Sequence, residues 1–205
     1  MGGGGEGGDE RVRVREVRVL SDDWYVLRKA TFDYRRRDGT WQTLSREAYD
    51  RGNGAAVLPY DPARGTVLLT RQFRWPAYAN GHPGPLVEAV AGLLDEREPE
   101  EAIRREAEEE AGCRLSAPRR VFEAFMSPGS VTERLVFFVA EYSAADRVAA
   151  GGGLASEGED IEVLEPTLDG ALAMVADGRI ADAKTIMLLQ YAALAGLVGP
   201  ARRGP

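Results

Sequence analysis

The chain has 205 residues, of which 44% are apolar, so it is long enough to form a globular domain with a buried core. Its formal net charge of −7 and the lack of an obvious basic patch argue against nucleic acid as the main partner. The single cysteine excludes an internal disulfide and no apolar run approaches the roughly 20 residues that span a bilayer, so we expect a cytoplasmic protein that does not cross a membrane.

The N-terminal quarter of the chain has two predicted parts, a glycine-rich leader and a small β unit. Residues 1–10 are rich in glycine and contain no hydrophobic segment, so we expect a disordered leader rather than a signal peptide. Residues 11–50 form the next predicted part, a small antiparallel β unit. Its strands are predicted at residues 11–20, 24–34 and 41–49, with Asp38-Gly39 as a hairpin turn between the last two.

Residues 51–198 are expected to form the main domain, and residues 199–205 a disordered tail. Strands and helices are mixed in the main domain. The predicted strands are 54–60, 65–73, 86–91, 120–126, 133–142 and 161–165, and the predicted helices are 99–111, 168–177 and 183–197. The predicted fold class is therefore α+β, a mixed sheet flanked by helices as an α/β/α sandwich, with the N-terminal antiparallel sheet added.

The predicted helix at 99–111 carries the most informative pattern. Glu106, Glu109 and Glu110 stand at i, i+3 and i+4, so they project from one helical face, where like charges repel. Hard divalent cations take oxygen ligands from carboxylates and from substrate phosphates together. The first hypothesis is therefore a metal ion that bridges this face and a phosphate chain. The alternative is an ordinary solvated acidic face.

The segment from Gly92 to Cys113 resembles the Nudix box, the signature of hydrolases that cleave a nucleoside diphosphate linked to another group. The positions of that signature are filled by Gly92, Glu98, Arg105-Glu106, Ala107, Glu109-Glu110, Gly112 and Cys113. There is one departure, because six residues rather than seven separate Glu98 from Arg105. The difference falls between the loop and the helix, so the register of the glutamates on the helix is intact.

The resemblance extends over about residues 20–194 and is to the GDP-mannose and ADP-ribose pyrophosphatase branch of the family. The contracted box and several flanking segments favour GDP-mannose; these segments are residues 126–133, 150–153, 159–165 and 182–185. The resemblance also implies a homodimer in which the N-terminal sheet exchanges across the interface and helps to build the partner's site.

A pyrophosphate repels a hydroxide nucleophile, and a metal ion removes that obstacle by neutralising charge and acidifying a bound water. We expect Mg2+, with Mn2+ as an alternative. Glu106 and Glu110, one helical turn apart, are the best ligands, and Glu109 is a further candidate. The resemblance implies two more ligands, the backbone carbonyl of Ala91 and the carboxylate of Glu159.

The general base is expected outside the helix, because the helix carboxylates are occupied by metal. The loop at residues 151–160 is rich in glycine, hence mobile, and carries acids that could close over bound substrate. The resemblance implies Glu157 as the base; the alternative is an ordinary acidic surface loop. Arg105 is expected to orient the neighbouring carboxylates by a bidentate bond, or else to form a surface ion pair.

Substrate contacts are expected from guanidinium groups, which bind phosphates and bases. The candidates are Arg46, Arg51, Arg71 and Arg74. The resemblance favours Arg74 and Arg46, with Arg46 reaching the partner subunit's site. Ser127 and Glu133 flank a Pro-Gly turn that is expected to face the distal sugar.

The predicted function is metal-dependent hydrolysis of the pyrophosphate of a nucleotide sugar, with GDP-mannose giving GMP and mannose 1-phosphate. The alternative within the same class is cleavage of ADP-ribose to AMP and ribose 5-phosphate. Two alternatives lie outside it: a non-catalytic nucleotide-sugar sensor, and a metal-free oligomerisation module with a solvated acidic helix.

Overall fold

The computed structural model describes residues 10–94 and 96–199, apart from the side chain of Glu157. Nearly all of the predicted leader and tail, and the side chain of the predicted base, therefore lie outside the described residues. The described chain divides into two compact units. The first unit runs to Gly52 and also contains Ser127–Glu133, and the second contains Asn53–Met126 and the chain from Arg134 onward.

The first unit is an antiparallel sheet of three strands in chain order, β1 (Val12–Asp22), β2 (Val26–Arg35) and β3 (Trp41–Asp50). The segment Ser127–Glu133 is hydrogen-bonded to the end of β3. The amide of Tyr49 donates to the carbonyl of Ser130 at 2.8 Å, and the amide of Thr132 donates back to the carbonyl of Tyr49 at 3.1 Å.

Strand β1 differs from the prediction in its burial. Its alternation of valine with charged residues predicts a half-buried strand, yet every residue of β1 is exposed. Val14 is 64% exposed, and Trp24, in the turn after the strand, is 81% exposed. The alternation reports that one face of the strand is apolar, and it does not report what covers that face.

The second unit contains the other strands, in two sheets. The larger sheet has the order β5-β4-β10-β9 with β8 also paired to β4, and the smaller has the order β11-β6-β7. Pairing between β4 and β10 is parallel and the other pairings are antiparallel, so the larger sheet is mixed. The strands are β4 (Gly54–Asp61), β5 (Thr66–Val67), β6 (Leu69–Gln72), β7 (Leu86–Glu88), β8 (Val90–Leu93), β9 (Arg119–Phe125), β10 (Arg134–Glu141) and β11 (Glu162–Leu164).

The described residues of the second unit also form four α-helices, α1 (Trp75–Ala79), α2 (Pro99–Ala111), α3 (Leu168–Ala176) and α4 (Ala183–Leu194). Within residues 10–94 and 96–199, no helix combines the length and apolarity that crossing a membrane requires.

The core of the second unit lies on both faces of the larger sheet. Alternate residues of a strand point to opposite faces. Accordingly Ala56 and Leu58 of β4 pack in one buried cluster with α3 and α4 residues, whereas Ala55 and Val57 pack in another with the apolar side of α2. This double burial explains why β4 is a nearly continuous apolar run, and it fixes α2 against the sheet.

The sequence reading was wrong in four places of the second unit. The predicted strand 65–73 is two strands, because β5 pairs with β4 whereas β6 pairs with β7 and β11. The predicted strand 86–91 is likewise two strands, because β7 pairs with β6 whereas β8 pairs with β4. Helix α1 was not predicted, since it is only five residues long. Helix α4 ends at Leu194, whereas the sequence predicts an end at residue 197. The helix stops early because Gly196, two residues after its end, has a left-handed φ of 60°.

Candidate active site

Helix α2 begins at Pro99 and ends at Ala111, as the sequence predicts. Proline at the first position has no amide hydrogen to leave unpaired. At the other end Gly112 has a left-handed φ of 61°, and its amide donates to the carbonyl of Glu108 at 3.1 Å. The apolar face, which includes Ile103 and Ala107, is fully buried, so the acidic face is held in one orientation.

Four carboxylates form what we call the acid cluster: Glu106, Glu109 and Glu110 of α2, and Glu159 of the glycine-rich loop at residues 151–160. Burial raises the pKa of Glu110 to about 8, and the carboxylates of Glu106 and Glu159 raise it as well. Burial also raises the pKa of Glu106, where Arg105 opposes the change and Glu109 and Glu159 add to it. Glu106 therefore lies in the electrostatic field of Glu109 and Glu159, and Glu110 in that of Glu106 and Glu159.

The acids of the cluster are held by donors from three directions. The amide of Ala91 donates to Oε2 of Glu110 at 3.3 Å. Arg105 reaches two acids, with Nη2 2.9 Å from Oε1 of Glu106 and Nη1 3.6 Å from Oε1 of Glu109. The loop acid Glu159 accepts the backbone amide of Leu154 at 2.9 Å.

The acid cluster fits a hard divalent cation by its donor chemistry. All of its donors are carboxylate oxygens, and two of these acids, Glu106 and Glu110, carry a raised pKa because burial outweighs the opposing effects of Arg105 and Arg74. The absence of a side chain at Gly92 makes space for the carboxyl group of Glu106, because a Cβ at this position would overlap it. The side chains are not gathered into a cage: among the described residues, no three acids, histidines or cysteines form a group that could hold a metal ion.

The glycine-rich loop is fastened to the end of α2. The amides of Gly152 and Gly153 donate to the carbonyls of Glu110 and Glu109 at 3.0 and 3.1 Å. A helix end leaves such carbonyls without intrahelical partners, so the loop satisfies them. The sequence suggests a mobile loop on account of its glycines. In the structure the start of the loop is bonded to the helix that carries the acids.

The predicted base belongs to the same loop. The backbone of Glu157 lies in a single 3-10 turn, Ala155–Glu157, which ends at Gly158 with a left-handed φ of 77°. The side chain of Glu157 lies outside the described residues, so its direction relative to the acid cluster stays a prediction.

Arg74 stands immediately before α1, beside the acid cluster. Burial lowers the pKa of Arg74, but the carboxylates of Glu88, Glu110 and Glu159 together outweigh that effect, so the pKa is raised overall. Nε of Arg74 donates to Oε2 of Glu88 at 2.8 Å. The other arginine of this segment, Arg71, forms an exposed ion pair with Glu162 on the neighbouring strand β11.

Two charged residues near Arg74 were missed as site residues. Glu88 is 3% exposed, and it also accepts a hydrogen bond from Lys184 of α4. The signal for Glu88 was present in the sequence, because it is the one charged residue in the otherwise apolar segment 86–91. A buried charge must be paired, so such a residue points to partners elsewhere in the chain.

The remaining predicted substrate residues belong to the first unit. Arg51 lies 3.5 Å from the carboxylate of Glu133, and its guanidinium stacks at 5.6 Å from the ring centroid of Tyr25. The carbonyl of Ser127 closes a turn by accepting the amide of Val131 at 2.9 Å. Arg46 is exposed on β3, and its Nη1 donates to the carbonyl of Ser45 at 2.8 Å.

Comparison with known proteins matches both parts of the chain to described families. Residues 11–49 match the family described as the GDP-mannose pyrophosphatase NudK N-terminal domain, and residues 50–188 match the NUDIX domain. The chain is 53% identical over 186 residues to a GDP-mannose pyrophosphatase of Pectobacterium atrosepticum, covering 90% of this chain and 95% of that protein. It is 52% identical over 190 residues to a GDP-mannose pyrophosphatase of Yersinia enterocolitica, covering 91% and 98%.

A solved structure supports the fold. The crystal structure of an ADP compounds hydrolase matches with a TM-score of 0.69 at 15% identity, covering 92% of this chain and 98% of that chain. The mixed sheet, the flanking helices and the additional N-terminal sheet predicted from the sequence are therefore confirmed.

The attachment of the loop to α2 can be tested with two glycines of the same loop. A Cβ added at Gly151 would lie 2.5 Å from the carbonyl oxygen of Glu110, whereas no described atom lies within 4 Å of a Cβ at Gly158. Both have a left-handed φ, of 76° and 77°. We expect Gly158→Ala to cost about 1 kcal/mol from backbone strain alone, and Gly151→Ala about 3 kcal/mol because the helix end must also move. Urea unfolding of the two variants measures the difference, and equal losses would show that the loop is not fastened as described.

The raised pKa of Glu110 predicts how stability depends on pH without metal. The folded pKa of about 8 stands above the reference value of 4.5, so the folded state binds a proton that the unfolded state releases. Stability from this group is complete below about pH 4.5 and is lost as the pH rises to about 8. We expect Glu110→Gln, which cannot ionise, to gain stability relative to the parent over this window, by at most about 1.4 kcal/mol per pH unit. Thermal unfolding in chelator at a series of pH values measures the gain, and parallel pH profiles would contradict the prediction.

Proposed function

The chain belongs to the NUDIX family of hydrolases, and we propose that it hydrolyses the pyrophosphate of GDP-mannose to give GMP and mannose 1-phosphate. The observation that carries this proposal is the acid cluster, in which the helix acids Glu106 and Glu110 both lie in the electrostatic field of the loop acid Glu159. A chain about half identical to GDP-mannose pyrophosphatases over nine-tenths of its length supports the choice of substrate.

NUDIX hydrolases generally need a divalent metal, and we propose Mg2+ for this chain, with Mn2+ as a possible substitute. Glu106, Glu110 and Glu159 would hold it with the carbonyl of Ala91, and Glu109 would bind a metal or a metal-bound water. When bound, such an ion neutralises the charge of the two phosphates and acidifies a water. The cation would also offset the burial, and the smaller repulsion between carboxylates, that raise the pKa of Glu110 and Glu106.

The protein's own residues would supply the proton transfer and the orientation. We propose that Glu157 takes a proton from the attacking water as its oxygen bonds to phosphorus. The bond between that phosphorus and the bridging oxygen breaks, and the bridging oxygen leaves with the other phosphate. Arg105, which contacts both Glu106 and Glu109, would keep these two acids in place during the reaction.

Arginines would bind the anionic substrate. Arg74 lies beside the acid cluster with its side chain 39% exposed, which suits contact with a phosphate. We propose that Arg46, Arg51 and Arg71 are further substrate contacts, and that Ser127 and Glu133 face the sugar. Arg51 and Glu133 already lie 3.5 Å apart, so they would act as one group.

We propose that the protein is a homodimer that exchanges its N-terminal sheet. The support is the exposed apolar face of β1, with Val14, Val17 and Val19 each more than half exposed. Contiguous exposed apolar surface of this kind is typical of association. In the dimer, Arg46 of one protomer would contribute to the site of its partner. A cytoplasmic location belongs to the same proposal, and the free, buried thiol of Cys113 suits a reducing compartment.

The substrate is tested by incubating the protein with Mg2+ and either GDP-mannose or ADP-ribose and separating the products by chromatography. We expect GMP and mannose 1-phosphate to form faster than AMP and ribose 5-phosphate. Faster turnover of ADP-ribose would replace the proposed substrate. Tight binding of both nucleotide sugars without cleavage at any Mg2+ or Mn2+ concentration would favour the non-catalytic sensor.

The role of the loop acid predicts a selective loss of turnover. We expect Glu157→Gln to lower kcat by about 10²- to 10⁴-fold with little change in KM, because the amide cannot accept the proton of the attacking water. The matched control is Asp160→Asn, which removes an exposed acid of the same loop and should change kcat less than about twofold. A full kcat in Glu157→Gln would exclude it as the base.

The exchanged sheet predicts complementation between inactive subunits. A mixture of Arg46→Ala and Glu106→Gln proteins, unfolded and refolded together, should recover about a quarter of the parent activity. The reason is that half of the random dimers are mixed, and each mixed dimer has one site with both residues intact. Recovery is measured as GMP release. No recovery, with native mass spectrometry showing mixed dimers, would place Arg46 outside the partner's site.

A further inference from the structure

Glu88 is a buried carboxylate shared by two cations. It lies on β7 with 3% of its surface exposed. Its Oε2 accepts the Nε–H of Arg74 at 2.8 Å, and its Oε1 accepts a hydrogen bond from Nζ of Lys184. Both oxygens are therefore engaged, and the carboxylate cannot rotate without losing a charged partner.

The Lys184 end of this arrangement is anchored to the start of α4. Asp182, which caps the helix, lies 3.0 Å from Nζ of Lys184 and accepts the amide of Thr185 at 3.0 Å. The hydroxyl of Thr185 in turn accepts the amide of Ala89, the residue after Glu88, at 2.6 Å. The first turn of α4 and the end of β7 are thus joined by a closed set of bonds.

The Arg74 end is open. In the described part of the chain, the hydrogen bonds of the Arg74 side chain are confined to Nε, so both Nη groups keep their donors. The side chain is 39% exposed and lies in the field of Glu110 and Glu159. A guanidinium held by Nε has a fixed plane, and its two Nη groups form a fork that matches two oxygens of a phosphate.

We propose that Glu88 is a positioning residue, which with Lys184 fixes the guanidinium of Arg74 so that its free Nη groups bind a phosphate of the nucleotide sugar beside the acid cluster. This inference rests on the proposed function. It adds two residues to the site that contribute through Arg74, and it gives the buried charge on β7 a purpose beyond joining two elements.

The alternative is a purely structural role, in which Glu88 only joins α4 to the sheet. Both roles would make its replacement destabilising, since removing one partner leaves a buried charge unpaired. They differ in what happens to substrate binding. A purely structural carboxylate affects stability in every background, whereas a positioning residue affects KM only while Arg74 is present.

The test is a double-mutant cycle of Glu88→Gln and Arg74→Ala with saturating Mg2+. The amide has one acceptor oxygen in place of two, so it can hold one cation but not both. We expect Glu88→Gln to raise KM for GDP-mannose about tenfold with kcat within about threefold. In the Arg74→Ala background the same change should raise KM less than about twofold further. Increases that multiply in the double variant would overturn the proposal.

Glu123 offers a matched control. Its carboxylate is also shared by two cations, Arg120 and Arg134, on β9 and β10 of the same unit. Glu123→Gln removes the same kind of shared contact from a more exposed carboxylate, and it should leave KM within about twofold. If Glu88→Gln does not fold, as judged by circular dichroism, Glu88→Asp keeps both acceptors at a shorter reach. It should raise KM by an intermediate amount, again only with Arg74 present, and an unchanged KM would overturn the proposal.

A second measurement separates this inference from the proposed function. The affinity of the same variants for inorganic pyrophosphate is measured by calorimetry in chelator, where no turnover occurs. We expect about tenfold weaker binding for Glu88→Gln, and no further weakening when Arg74 is already alanine. A parent protein that binds pyrophosphate in this pattern but cleaves neither nucleotide sugar would refute the function and keep the inference. A parent protein that binds no pyrophosphate would refute the inference.

Discussion

The structure depends on holding like charges together on one short helix. Three carboxylates project from α2 and a fourth comes from the glycine-rich loop. Burial, with the carboxylates of Glu106 and Glu159 adding to it, raises the pKa of Glu110 to about 8. Such an arrangement opposes folding unless the helix is fixed by other means. The apolar side of α2 provides one part of that fixation through Ile103 and Ala107, and the amides that bond to its last carbonyls provide another.

The amino-acid pattern was sufficient to predict the helix that carries the acids. A proline marks the first residue of α2, a glycine follows its last residue, and a period of 3.6 residues defines its buried face. All three are local signals. The loop acid Glu159 was also predicted, but only through family resemblance, because its approach to α2 depends on Gly152 and Gly153 bonding to a helix end far away in sequence. Non-local contacts of this kind leave no periodic trace.

Glu88 and Lys184 illustrate what the sequence left undecided. A single charged residue within an apolar strand indicates a buried partner of opposite charge, but it does not identify which of the many lysines and arginines is that partner. The split of residues 65–73 between two sheets was hidden for a similar reason. Its apolar run is compatible with one strand, and only the pairing of β5 with β4 and of β6 with β7 divides it.

Strand β4 has a consequence for how the protein is made. It pairs in parallel with β10, which the ribosome delivers much later, and its two faces separate the helix that bears the glutamates from α3 and α4. Contacts between distant segments close late in folding, because the chain entropy of the intervening loop must be overcome first. A chain truncated before β10 would therefore contain α2 in full but lack the strand whose side chains complete the buried clusters on both faces of β4.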